Sequence, residues 1–247
     1  MNRYKFSLMY DGKDFCGFQV QPEKRTVQGE VEKALSFLLK ENVKIYASGR
    51  TDAGVSALCQ VAHFDTEKTI DERKVLAGAN ALLPKDVALT SLKLANEGFD
   101  ARFSVKKKTY QYLFYVSHFE LPLFSDRAVR INEFADTSKM NEACRFLIGK
   151  HDFSSFVARK SGKTDFVRTV FDAKIVNIHD NLFAFEITGD GFLYNMVRIV
   201  FGTLVNVGYG KLKPSEMANI IDAKSRSKAG KTMPAHALML RKVEYEG

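Results

Sequence analysis

The stretch Gly49-Arg50-Thr51-Asp52-Ala53-Gly54 places a guanidinium and a carboxylate close together between two glycines. A neighbouring cation lowers the pKa of an aspartate and keeps it ionised, ready to act as nucleophile or base. The competing reading is a β-turn, in which Asp52 bonds its own backbone and Arg50 is solvated surface. Arg198 is the second residue of interest, because it is the one charge inside the apolar run Phe192 to Leu204. A guanidinium among apolar side chains is costly unless an anion pairs with it. Its structural partner would be a carboxylate such as Asp190 or Glu186. Its functional partner would be Asp52, across a cleft between the two halves of the chain.

Tyr110 follows three lysines, Lys106 to Lys108. An aromatic ring beside basic groups can stack on a base while the lysines hold phosphate. Tyr112 and Phe114 share its strand face and read as sheet core. Two further basic stretches, Arg159 to Lys163 and Lys224 to Lys231, are either solvated loops or parts of one phosphate-binding face. Gly162-Lys163-Thr164 and Gly230-Lys231-Thr232 end like a P-loop, but Val157 and Ser225 stand where the earlier glycine belongs. The five histidines show no ligand spacing and there is no H-E-x-x-H. These patterns make no case for a metal or an organic cofactor.

These residues need elements to hold them. Tyr4, Phe6, Leu8 and Tyr10 alternate as on one face of a strand. Thr26 is suited to cap a helix with the stripe Val27, Val31, Ala34, Leu35 and Leu38. Val43 to Ala47 and Gln60 to Asp65 form strands that lead into and out of the Asp52 loop. Asp71 caps a second helix, with Val75, Leu76, Ala79, Leu82 and Leu83 as its buried stripe, and Val87 to Leu94 is a strand. The order strand, helix, strand, strand, helix, strand suits an α+β layout with a mostly antiparallel sheet. After a basic crossover, Tyr110 to Val116 is a strand that Ala128 to Ile131 joins. Asp136 caps a helix, and Phe166 to Ile178 pairs with Leu182 to Thr188. Gly191 to Val207 is a buried helix, Pro214 opens a short one at its first position, and Leu238 to Val243 is a last strand. The expected domains are 1–104, carrying the Asp52 loop, and 105–247.

The chain has 247 residues, enough to bury a substantial core, and a formal net charge of +8. Such an excess favours polyanions, nucleic acid among them. The three cysteines, Cys16, Cys59 and Cys144, are an odd number with no C-x-x-C, which argues against a disulfide framework or a structural zinc. Their apolar neighbours make them buried free thiols. The N-terminus lacks the apolar region of a signal peptide, and no run reaches the ~20 apolar residues of a membrane span. A cytoplasmic protein with no membrane association is expected.

The motifs together resemble the tRNA pseudouridine synthase A family, along the whole chain. The likeness runs from Tyr10-Asp11-Gly12, Phe15, Gly17, Gln19 and Thr26-Val27-Gln28 to Gly49-Arg50-Thr51-Asp52-Ala53-Gly54-Val55, where it is sharpest. It continues through Asn80, Leu83-Pro84, Phe99-Asp100-Ala101-Arg102-Phe103-Ser104, Lys108-Thr109-Tyr110-Gln111-Tyr112, His151-Asp152-Phe153, Ser155-Phe156 and Phe192-Leu193-Tyr194-Asn195-Met196-Val197-Arg198.

The resemblance implies that Asp52 is the essential catalytic aspartate. By the same likeness, Arg50 helps hold the site open to a flipped base, Tyr110 packs on the target base, and Arg198 pairs with the aspartate. It implies isomerisation of uridines 38, 39 and 40 in the anticodon stem-loop of tRNA, by a homodimer that needs no metal or cofactor. The implied fold is two similar α/β halves around a continuous, mostly antiparallel sheet, with the active-site cleft between them. One departure concerns Ser56, where many members carry histidine; this bears on substrate contacts more than on chemistry. Two rival classes are a non-catalytic RNA-binding module and an N-glycosidase that uses the same carboxylate.

Overall fold

The structure, a computed structural model, describes residues 1–158 and 165–246. In chain order its elements are β1 (Asn2–Tyr10), α1 (Val27–Leu39), β2 (Ile45–Ala47), β3 (Ser56–Thr66), α2 (Glu72–Leu82), β4 (Val87–Leu94), β5 (Val105–Val116), β6 (Val129–Ile131), α3 (Thr137–Cys144), β7 (Gly149–Asp152), β8 (Val167–His179), β9 (Leu182–Gly189), α4 (Met196–Gly208), α5 (Glu216–Asp222) and β10 (Leu238–Tyr245). The fold is mixed α/β and its strand pairings are mostly antiparallel. The chain clusters into two compact units, Met1–Lys106 with Met239–Gly247, and Lys107–Leu238. The final strand therefore belongs with the first unit, whereas chain order alone had grouped it with the second half.

In the first unit the strands lie in the order β4, β1, β3, β10, with β2 paired to the edge of β3. The β1 alternation is realised, since Tyr4, Phe6, Leu8 and Tyr10 are all buried. β1 pairs antiparallel with β3 and β4, while β10 joins β3 in parallel through Met239 and Leu240. Thr26 caps α1 by accepting the Gly29 N–H, and Lys40 ends the helix in the left-handed region. The buried face of α1 includes one residue that periodicity does not flag, Glu32. Its Oε1 accepts the Ile45 N–H at 3.0 Å and the Gln28 amide at 2.9 Å, which ties β2 to the helix. Asp71 caps α2 as expected, but Ala79 is that helix's one buried residue and Leu82 is exposed. Asn80 compensates with its side chain, bonding both the N–H and the carbonyl of Leu89 on β4.

The second unit orders its strands β5, β9, β8, β7, with β6 parallel to the end of β5. Its core gathers on Phe201 of α4. The rings of Tyr112, Phe114 and Phe185 approach it with centroids at 4.4, 5.0 and 6.1 Å, and all four side chains are fully buried. Tyr112 and Phe114 are thus sheet core, and the Tyr112 hydroxyl donates to the Pro234 carbonyl at 2.8 Å. Two boundaries differ from expectation. α4 begins at Met196, because Asn195 takes a left-handed conformation with φ 60° and leaves Gly191 to Tyr194 outside the helix. α5 begins at Glu216, so Pro214 precedes the helix in a turn that its carbonyl closes by accepting the Met217 N–H.

The cysteine expectation holds for Cys144, whose thiol burial pushes up to about 12. It fails for Cys16, which is exposed, and for Cys59, which is half-buried: apolar sequence neighbours do not fix the face on which a side chain falls. Among the described residues no helix is long and apolar enough to cross a membrane.

Replacing Phe201 by alanine removes the ring that three others pack on. Such a truncation should cost roughly 3–5 kcal/mol, read as a lowered midpoint in urea unfolding.

Candidate active site

The loop between β2 and β3 is fastened at its entry, middle and exit. At the entry, the Ser48 N–H bonds the Val61 carbonyl at 2.8 Å, continuing the β2–β3 ladder by one step. The Gln60 side chain, fully buried, accepts the Ser48 hydroxyl at 2.5 Å and donates to the Gly49 carbonyl at 2.9 Å. In the middle, the Tyr10 hydroxyl and Thr51 Oγ1 are 2.8 Å apart, and both residues are buried. Burial pushes the Tyr10 phenol up to about 12, so it remains a neutral hydrogen-bonding group at working pH. At the exit, the Val55 N–H closes a turn onto the Asp52 carbonyl at 3.1 Å.

A second segment, 11–26, braces this loop from the side. The Phe18 N–H donates to the Thr51 carbonyl at 3.1 Å, and the Gly54 N–H donates to the Phe15 carbonyl at 3.4 Å. Two glycines make the contact close enough. A Cβ at Gly12 would lie 2.2 Å from the Val55 oxygen, and Gly17 (φ +93°) packs its Cα side onto the Thr51 to Ala53 backbone. Ser56 belongs to this brace. It is buried, and its hydroxyl accepts the Gly12 N–H at 3.0 Å. The segment is held in turn by Arg25, which makes paired bonds to Asp86 at 2.7 and 2.8 Å and lies 4.1 Å above the Phe15 ring.

Asp52 emerges from this frame half-buried, and Arg50, two residues earlier, is exposed. Among the described residues no ion pair or hydrogen bond engages the Arg50 guanidinium. The first unit therefore offers a carboxylate on a fixed backbone, with an exposed cation two residues before it in the chain. That combination suits an anionic ligand and a reacting carboxylate more than it suits a bare turn.

The second unit holds the other two candidate residues. Tyr110 lies on β5 opposite Ile187, half-buried, with the Phe192 ring edge-on at 5.2 Å. Arg198 lies in the first turn of α4 and is half-buried, not in the middle of a buried helix as the apolar run suggests. Its Nε donates to the Met233 carbonyl at 2.6 Å and its Nη1 to Asn195 Oδ1 at 2.7 Å. Of the structural carboxylates considered for it, Asp190 accepts the Thr169 N–H and Glu186 accepts the Gln111 amide.

The basic stretches divide. Lys228 and Lys231 are exposed, whereas Arg226 bonds the Ala229 carbonyl and Thr232. Lys107 lies over the Phe171 ring and Lys106 pairs with Glu246. Arg159 to Lys163 falls outside the described residues. Among the described residues no three His, Cys, Asp or Glu side chains group as metal ligands. Sequence reading did not assign roles to Tyr10, Gln60 or Arg25. The one signal available was polarity: Gln60 opens the otherwise apolar run Val61 to Phe64.

The Arg25 guanidinium holds the Asp86 carboxyl below the usual carboxylate range. The unfolded chain, with Asp86 at its ordinary value, binds that proton more readily. The pair's stabilisation is therefore present above about pH 4 and lost as pH falls through the folded value. Asp86→Asn should lower the midpoint of thermal unfolding at pH 7 by the equivalent of about 1 kcal/mol. It should leave a smaller difference from the parent at pH 3; a difference independent of pH would contradict this.

A profile described as tRNA pseudouridine synthase matches residues 7–104 and 143–246. The chain is 46% identical over 248 residues to "tRNA pseudouridine synthase A" of Anoxybacillus flavithermus, covering 100% of both chains. It is 44% identical to the protein of the same name from Bacillus subtilis, covering 99% of each. It is 45% identical to that of Shouchella clausii, covering 99% of this chain and 94% of that one. With the profile matching both units and these likenesses running end to end, the chain belongs to the tRNA pseudouridine synthase family.

Proposed function

We propose that this protein isomerises uridine to pseudouridine at positions 38, 39 and 40 of the tRNA anticodon stem-loop, as a cytoplasmic homodimer with Asp52 as the essential carboxylate. The observation that carries the site reading is the loop, held by Gln60, Tyr10 and the 11–26 segment, that carries Asp52 two residues after an exposed Arg50. The reaction breaks the N1–C1′ bond, turns the base and joins C5 to C1′. C5 gives up a proton and N1 takes one, so no atoms are gained or lost overall and no cofactor is called for. An ionised carboxylate fits each way of opening that bond: attack at C1′, attack at C6, or withdrawal of a sugar proton.

The target uridine must leave its stack to be reached. In this reading Tyr110 supplies the aromatic floor on which the base packs, Arg50 keeps the site open to it, and Arg198 keeps Asp52 ionised. Exposed cations such as Lys228 and Lys231 contribute the sequence-independent hold on phosphate that suits RNA recognised by shape. The N-glycosidase alternative shares the carboxylate but releases free uracil.

Incubation of unmodified tRNA with the protein, followed by mapping of pseudouridine, should give product at 38 to 40 and no free uracil. Asp52→Asn should abolish product while binding tRNA at near-parental affinity. Product from Asp52→Asn would refute the site, and absence of product with the parent would refute the function. Affinity for tRNA should fall steeply between 50 and 200 mM salt, by roughly tenfold or more; a flat response would contradict the phosphate-binding argument.

A further inference from the structure

The Asp52 loop is fastened by two side chains from neighbouring strands of the first unit, neither of which is on the loop. Gln60 grips the backbone at Gly49, and its amide oxygen takes the Ser48 hydroxyl. Tyr10 bonds the side chain of Thr51, the residue immediately before Asp52. Both are buried, Gln60 to 0% and Tyr10 to 3% exposure, so neither stands open to a substrate. A buried amide or hydroxyl is costly to desolvate unless it is bonded; here Tyr10 bonds Thr51, and Gln60 bonds Ser48 and Gly49 of the loop as well as the Val61 N–H of its own strand. Backbone bonds already join the loop to the sheet at Ser48 and to the brace at Thr51. What the two side chains add is direction: they fix the peptide planes and the Thr51 rotamer that set where the next side chain points.

We propose that Tyr10 and Gln60 are positioning residues for the Asp52 carboxylate, acting through Thr51 and Gly49. This rests on the functional reading above. The chemistry requires the carboxylate within reacting distance of the ribose or base, and a displacement of about 1 Å can cost on the order of a hundredfold in rate. Binding of tRNA draws on many phosphate contacts spread over the surface, so it is insensitive to the aim of one side chain. Loss of either positioning residue therefore acts on the chemical step and leaves affinity alone.

The test uses Tyr10→Phe, which deletes one hydroxyl, and Gln60→Leu, which keeps approximate volume. Thr51→Val removes the hydroxyl that Tyr10 meets, and Thr51→Ser keeps it. Each full-length variant is assayed for melting temperature, affinity for unmodified tRNA, and single-turnover rate of pseudouridine formation at saturating enzyme. The expected result is a rate lower by about ten- to a hundredfold in Tyr10→Phe, Gln60→Leu and Thr51→Val, with tRNA affinity within about twofold of the parent. Thr51→Ser should restore most of the rate that Thr51→Val loses. The double variant Tyr10→Phe with Thr51→Val should be no slower than the worse single variant, because both remove the same bond.

Folded variants with parental rates, or variants that lose affinity and keep the rate at saturation, would overturn the proposal. So would fully multiplicative losses in the double variant. A variant that melts below the assay temperature is read at a lower temperature, where Thr51→Ser against Thr51→Val still decides. A parent that forms no pseudouridine overturns the functional reading itself, whereas an active parent with unaffected variants overturns the positioning role alone.

Discussion

A buried carboxamide carries much of the weight in the first unit. Gln60 sits in the middle of a strand whose neighbours are apolar, yet its buried side chain bonds Ser48 and Gly49 of the loop beside it. Left unbonded, that amide would cost about 1–3 kcal/mol. The amide oxygen also accepts the Val61 N–H at 3.2 Å, but the amide N–H reaches the Gly49 carbonyl only when the loop entry is in place, which couples the strand to the loop. The rest of the loop inherits this constraint. Thr51 meets Tyr10 farther along the loop, and the 11–26 brace closes on Thr51 and Val55.

The brace shows how stability and function divide in this unit. Arg25, Asp86 and Phe15 form a small polar and aromatic clasp on the brace. Gly12 and Gly17 then let two backbones touch where a Cβ would collide. Ser56 lies in the same contact, bonded to Gly12 and buried. Ser56 thus sits in the packing of the loop's exit. Beyond this contact Asp52 is half-buried and Arg50 exposed.

The second unit is built on a different constraint. Its β5 strand and α4 helix share one aromatic cluster around Phe201, so the apolar run that includes Arg198 is anchored by its later turns. The early residues, from Gly191 to Asn195, are free to take another course, and the left-handed Asn195 marks where the helix begins. Arg198 comes in the first turn as a result, half-buried, with a carbonyl and an amide oxygen to bond.

The sequence by itself determined the local structure and the chemistry on offer. Alternation in β1, the Thr26, Asp71 and Asp136 caps, and the glycine-bracketed Arg50-Thr51-Asp52 are short-range patterns, set by side-chain periodicity and by hydrogen bonds within a few residues. Family membership was legible for the same reason, since its motifs are contiguous. Tertiary structure alone decided what depends on residues far apart in the chain. Glu32 reaching Ile45, Gln60 reaching back to Gly49, Tyr10 meeting Thr51 and β10 joining β3 leave no periodic trace. A polar residue in an apolar strand looks like an interruption until the fold supplies its partner. That partner is specified by geometry across the sheet, where the cost of an unbonded buried group, and not any local propensity, fixes the arrangement.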